Sequence, residues 1–305
     1  MADPIIVIAG ATGNLGGRIV RALLERGASV RALVRQNSSV EKVEKLKGLG
    51  VTIATADLRN APEVSQACRG ASCVVSALQG LRDVIVDAQT ILLDAAVKAD
   101  VPRFIPSDYS VDFTGLSPGK NRNFDLRRDF HKILYNAPIS ATTVFSGAFA
   151  ELLTGPMPLI SFKLKRILYW GNPDQRMDFT TMDDTAAFTA NAALDPSAPR
   201  FLRVAGDQLS ARELAAVLSE VAGKRFRLFR AGSLGMLRRI INIAQRLQPG
   251  QNDLYPAWQG MQYMHNMFDG RAKLEALDNE RYPGMHWTTV REVLAAHASE
   301  RFPKK

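Results

Sequence analysis

The sequence predicts an α/β protein, a doubly wound parallel sheet with helices on both faces. Three observations predict it. Short unbroken apolar runs, of which Ile5-Ile6-Val7-Ile8-Ala9 is the first, recur through the first half of the chain and read as strands buried on both faces. Segments with apolar residues at helical spacing lie between them, so strand and helix alternate. The first strand and helix are joined by a glycine-spaced turn, Gly10-Ala11-Thr12-Gly13-Asn14-Leu15-Gly16.

In the helix after that turn, Ile19, Val20, Leu23 and Leu24 share one face, with Arg18, Arg21, Glu25 and Arg26 on the rest. Gly27 stops the helix, and residues 30–34 form a second strand. A β-turn-α-β unit of about thirty residues is the context a dinucleotide site requires. Gly10 permits a tight exit from the strand, Gly13 lets backbone N–H groups approach a pyrophosphate, and Gly16 allows close helix-on-strand packing. Thr12, Asn14 and Leu15 complete a turn whose free amides sit at the positive end of the helix. The spacing is GxxGxxG, which points towards short-chain dehydrogenase relatives. The second strand ends in Val34-Arg35-Gln36-Asn37-Ser38-Ser39, with no acid to accept from a ribose 2′-OH. Arg35 can instead pair a 2′-phosphate, helped by Asn37, Ser38 or Ser39, so NADP(H) is expected. The plainer reading of Arg35 is one more surface arginine in a basic chain.

A helix over residues 40–47 and a strand over 51–54 follow, and the strand leads into Ala56-Asp57-Leu58. Asp57 is placed to bond an adenine amino group with Leu58 against the ring. It is equally placed to cap the next helix, which runs through Val64 and Ala67. Residues 72–78 form the fourth strand and leave Ser76, Ala77 and Leu78 on the cofactor side. A long helix is expected over 83–99 and a fifth strand over 103–105, halted by Pro106-Ser107-Asp108-Tyr109. Ser107 falls on the cofactor side of that exit. Residues 115–123 read as a mobile loop, 124–136 as a helix and 141–145 as a strand. Then the alternation fails. Strands over 164–170 and 176–179 are joined across Gly171-Asn172-Pro173-Asp174, and Asp183 opens a helix through Ala193. A strand over 201–204 precedes a helix capped by Ser210 and running to Ala222. Helices are expected over 234–247, 255–268, 271–277 and 288–297.

The 305 residues, 46% hydrophobic, suffice for one large domain with an insert or for two lobes. No apolar run approaches the length of a membrane span, and no basic leader precedes the first strand, so a cytoplasmic location is expected. Cys68 and Cys73 read as ordinary thiols, and no metal site is expected. The net charge is +9, with basic clusters at Lys163/Lys165/Arg166, Lys224 to Arg230 and Arg238/Arg239. Without a helix-turn-helix or RNA-binding signature these read as a solvated face, not a nucleic-acid surface.

Taken together, GATGNLGG, ALVR, ADL, VVSAL, the helix with Gln89, VPRFIPSDYS, ISATTVFSGAFAE, MDDTAAFTANAALDP and LSARELAAVLSEVAGKRF run nearly end to end. In them the chain resembles NmrA-like atypical short-chain dehydrogenase/reductases, nearest in pattern to the isoflavone reductase and phenylcoumaran benzylic ether reductase group. The resemblance implies a Rossmann-type cofactor lobe over residues 1–152, to which 178–206 return. It implies a smaller, mostly C-terminal α+β substrate lobe over 153–177 and 207–305.

Ordinary short-chain reductases use a Tyr-x-x-x-Lys pair, and no tyrosine here has a lysine four residues on. Reductases of the resembled group carry a lysine in a segment similar to F-x-x-K; here it is Phe124-Asp125-Leu126-Arg127. Arg127 stays protonated at any working pH, so it can stabilise a developing oxyanion but not exchange a proton. Asp108 and Tyr109, near the expected nicotinamide, are candidates to supply the proton, with Tyr135 and His131 behind them. The plainer readings are Asp108 as a loop cap, Tyr109 as pocket wall and His131 as a surface residue. In Gly147-Ala148-Phe149, the segment that lines the nicotinamide in related proteins, Phe149 stacks on the cofactor or fills core. Met261, Met264 and Phe268 lie near one helix face and suit either an adaptable apolar pocket or core. The expected function is NADPH-dependent reduction of a small apolar carbonyl, quinone or conjugated aromatic compound. The rival is a non-catalytic NADP(H)-binding regulator that acts through a protein partner.

Overall fold

The computed structural model describes residues 3–155, 157–248, 250 and 252–301, the last four through their backbone alone. The first half alternates as expected. In chain order it comprises β1 (Ile5–Ala9), α1 (Asn14–Leu24), β2 (Ser29–Val34), α2 (Val40–Gly48), β3 (Thr52–Thr55), α3 (Ala61–Cys68) and β4 (Cys73–Ser76). There follow α4 (Gln89–Lys98), β5 (Arg103–Ile105), α5 (Arg122–Leu134) and β6 (Ser140–Ala141). The six strands form one parallel sheet in the order β3-β2-β1-β4-β5-β6. The unbroken apolar character of β1 now has its cause. Ile6 and Ile8 face one core, shared with α1, while Val7 and Ala9 face the other, shared with α3 and α4. The helix expected over 83–99 begins with one π-helical turn, Asp83–Ala88, before α4.

After β6 come β7 (Thr143–Phe145), β8 (Ala148–Phe149), β9 (Ile160–Ser161), β10 (Arg166–Trp170), β11 (Arg176–Thr180) and α6 (Met182–Leu194). Next are β12 (Phe201–Arg203), β13 (Asp207–Ser210), α7 (Ala211–Ala222), β14 (Arg227–Gly232), α8 (Leu234–Leu247), α9 (Ala257–Asp269) and α10 (Val290–Arg301). Only Thr142 separates β6 from β7, and β12 pairs parallel to β7, so the sheet is prolonged past its sixth strand. α6 packs on α1. The strands expected on either side of residues 171–174 both form, but not as partners. β10 joins β14 and β9, whereas β11 joins β13 and β8. No helix forms over 271–277. Leu274 N–H there donates to Asp178 (2.7 Å), and Ala272 and Leu274 fill a small core with Phe113 and Phe124. A separate core gathers α7, α9, α10 and the inner faces of β10 and β11. No helix among the described residues is long and apolar enough to cross a membrane.

Candidate active site

The sheet order reverses at β1, which lies between β2 and β4, and a crevice for a ligand opens at such a point. Ala77 N–H bonds Ala9 C=O (2.8 Å), so the chain leaves β1 and β4 side by side. Gly10 has φ +89°, and a Cβ there would stand 2.4 Å from Ala77 O; a Cβ on Gly16 would stand 2.1 Å from Gly10 O. Both positions must be glycine for the chain to pack on itself. Gly13 differs. It caps α1 at an ordinary φ of −81°, and a Cβ would meet only Gly10 O at 3.2 Å. Its packing need is much weaker than that of Gly10 or Gly16, and its bareness leaves the amide end of α1 open. No side chain caps α1 and no acid occupies its first turn; Asn14 accepts from Arg18 Nε (3.0 Å) instead. Such a cradle fits a pyrophosphate.

Arg35 is exposed at the end of β2 with no ion pair among the described residues, while Ser39 caps α2. Asp57 is exposed and does not cap α3, whose N-cap is Asn60; its Oδ1 accepts from Arg59 N–H (3.0 Å). Leu58 is half-buried against the α3–α4 core. Ser76 is buried with its hydroxyl unpartnered. Ser107 donates its hydroxyl to Leu78 O (2.6 Å) and its N–H to Gln89 Oε1 (3.0 Å), tying the exits of β4 and β5 together.

Beside this cradle lies a buried ionic cluster. Asp108, at the exit of β5, is fully buried. Its Oδ2 is 2.6 Å from His131 Nε2 and accepts from Thr143 Oγ1 at 3.2 Å. Its Oδ1 makes no hydrogen bond and stands 4.0 Å from Arg127 Nε, which is also unpartnered. Arg127 donates through Nη1 to Asn123 O (3.0 Å), and its side chain is 16% exposed. His131, with its side chain 4% exposed, is not the surface residue of the plainer reading. Arg127 and His131 share a face because they stand four apart on α5.

Tyr109 is brought near but turned away. It belongs to the core beneath α6, and burial holds its pKa well above the ordinary phenol range. That environment disfavours proton exchange. Phe149 is half-buried in β8, after a turn at Gly147 (φ +66°) where a Cβ would stand 2.4 Å from Asp178 O. Met264 and Phe268 are core, and Met261 is half-buried.

Other contacts, none singled out from the sequence, fix α5 against α9 and the segment before it. Asn121 caps α5 and also bonds Asn266 (3.0 Å) and Gln259 (2.9 Å) of α9, in a buried seam. Arg122 donates to the carbonyls of Asp253 (2.8 Å) and Leu254 (2.9 Å), with its guanidinium 4.8 Å from the Trp258 ring. Gln79, just past Leu78, donates to Tyr255 Oη at 2.8 Å and so ties the exit of β4 to the segment before α9. No metal-binding group of three or more side chains occurs among the described residues. A shallow surface depression of about 500 Å³ lined by Arg103, Tyr135, Ser140 and Arg200 lies at the opposite ends of β5 and β6 and takes no part in this site.

A parallel sheet with a glycine cradle at its switch point and a cationic cluster on the next strand exit defines a dinucleotide-binding α/β protein. The profile of the NmrA-like family matches residues 2–290, and the chain belongs to that family. It is 26% identical over 313 residues to a bifunctional pinoresinol-lariciresinol reductase of Linum album, covering 95% of this chain and 93% of that one. It is 25% identical over 309 residues to phenylcoumaran benzylic ether reductase Betv6 of Betula pendula, covering 95% and 97%. A solved structure of AtPrR2 with NADP+ and (+)pinoresinol superposes with a TM-score of 0.82 at 22% identity, over 97% of this chain and 99% of that one.

Proposed function

We propose that the protein is an NADPH-dependent reductase of a small aromatic or conjugated compound. The observation that carries this reading is that the open α1 cradle and the Asp108–Arg127 pair lie at the same ends of the parallel strands, after β1 and after β5, with Arg127 the partly exposed member of an otherwise buried cluster. The sequence relatives support the substrate class, since they are reductases of pinoresinol, lariciresinol and phenylcoumaran benzylic ethers. Gly13 and the first amides of α1 would hold the pyrophosphate, Arg35 the 2′-phosphate, and Phe149 the nicotinamide face. When bound, NADPH supplies a hydride to the substrate carbon. Arg127 then holds the oxygen that receives the electron pair. Because arginine does not release its proton at working pH, that oxygen takes its final proton from water.

The test is a screen of quinones, enones, aromatic ketones and benzylic ethers that follows NADPH absorbance and identifies the product. Steady oxidation with a defined reduced product supports the reductase. Tight NADPH binding without turnover, together with cofactor-dependent association with a protein partner, would replace it with a regulator.

A further inference from the structure

We propose that His131 is a positioning residue: through Asp108 it sets how much negative charge faces Arg127, and so how strongly Arg127 holds the substrate oxygen. This rests on the reductase reading of the same site. The geometry is a short line of three groups. His131 Nε2 and Asp108 Oδ2 are 2.6 Å apart, and the opposite oxygen of that carboxylate is free and 4.0 Å from the free Arg127 Nε. Thr143 fixes the carboxylate from the sheet side at 3.2 Å. Asp108 is 0% and His131 4% exposed by side chain, so solvent does little to screen the interaction.

Two charge states follow. With the imidazole protonated, His131 and Asp108 form an internally neutral pair and the Arg127 charge acts on substrate undiminished. With the imidazole neutral, the Asp108 carboxylate offsets that charge. A titratable imidazole thus stands behind a cation that cannot itself titrate. The other charged and titratable groups around it are Tyr135, on the next turn of α5, with ring centroids 5.7 Å apart, and Arg200, stacked 4.7 Å from the Tyr135 ring. Tyr109 adjoins Asp108 in the chain, Arg103 bonds Thr142 next to Thr143, and Tyr263 lies beyond Arg127. The Phe113 ring closes the remaining side at 5.2 Å and carries no charge.

The experiment has two arms on the NADP+-loaded protein. In the first, the His131 ring is titrated by NMR, in a chain with only four histidines, in the wild type and in Arg127→Gln. A nearby cation disfavours an imidazolium, so its removal should move the midpoint upward. In the second, kcat is measured against pH for the wild type and His131→Gln, which keeps a donor towards Asp108 but cannot charge. The wild-type kcat should fall on the alkaline side. The variant should lose that limb and stay at the lower level, roughly tenfold down, a fraction of the loss from deleting an oxyanion donor, with NADPH affinity unchanged. An unmoved midpoint in Arg127→Gln overturns the coupling whether or not a substrate is in hand. A variant with the wild-type pH profile overturns it for turnover. If the midpoint moves but nothing is reduced, the coupling stands and the reductase reading falls.

Discussion

Arg35 ends β2 exposed, beside no acid and in no ion pair among the described residues. A charged hydrogen bond to a 2′-phosphate contributes about 1.5–3 kcal/mol, roughly 10- to 150-fold in affinity. Arg35→Ala is therefore expected to weaken NADPH far more than NADH in a titration; equal losses would make it an ordinary surface residue. Gly13→Val separates the two kinds of glycine in the turn. Its Cβ meets Gly10 O at 3.2 Å, a tight contact that a small shift relieves, so the variant should fold with a modestly lower melting temperature while calorimetry shows no cofactor binding. Gly16→Val, whose Cβ would stand 2.1 Å from Gly10 O, should fail to fold. For Arg127→Ala the expected loss is on the order of 10²–10³ in kcat with NADPH affinity kept, because the contact strengthens only in the transition state. Unchanged turnover per folded molecule would remove Arg127 from the site. The glycine turn was legible because its spacing is local, whereas Arg127 became a candidate only through the resemblance of Phe124-Asp125-Leu126-Arg127 to F-x-x-K. The Asp108–His131 pair was not legible, since residues 23 apart meet only once β5 and α5 have packed.

At the scale of elements, α5 carries both Arg127 and His131 and is tied at its start to α9 by Asn121. Replacing a capping side chain by alanine costs about 0.5–2 kcal/mol. Asn121→Ala and Ser210→Ala, the latter breaking the capping box of α7, should therefore lower stability comparably in denaturant titrations. Only Asn121→Ala should also lower kcat, because only α5 bears on the site. Equal kcat in both variants would detach the seam from function. The later helices α7 and α8 were readable from apolar spacing and caps, and form with the expected bounds. The short strands β8, β9 and β13 were not, because two to four residues carry little periodicity and pair only where distant partners meet them. The helix expected over 271–277 fails for a related reason: Leu274 N–H is taken by Asp178, and its side chain by a core containing Phe113 and Phe124.

Across the whole molecule, Arg281 and Tyr282 are pinned back onto the end of α6. Asp195, just past α6, accepts from Arg281 (2.7 Å) and Tyr282 (3.0 Å). Burial alone would raise its pKa, but hydrogen bonds from Ser197, Arg281 and Tyr282 outweigh it and hold the carboxyl at about 2. A carboxylate depressed in the fold stabilises above its unfolded value of about 3.9 and loses that contribution as pH falls towards 2. Melting curves should thus show a stability gap between wild type and Asp195→Asn that is full at pH 5 and above, narrows through pH 4 to 3 and closes only as pH falls past about 2. A gap constant with pH would count against the ionic account. The packing of α6 on α1 has a further consequence, in the order of synthesis. On the ribosome, residues 5–24 emerge long before residues 182–194, so the part of α1 that packs on α6 stays uncovered until more than half of the chain is made, with only the early strands to shield the rest. The nucleotide cradle, though written in the first sixteen residues, becomes firm only late in translation. Chains arrested before α6 should therefore be aggregation-prone.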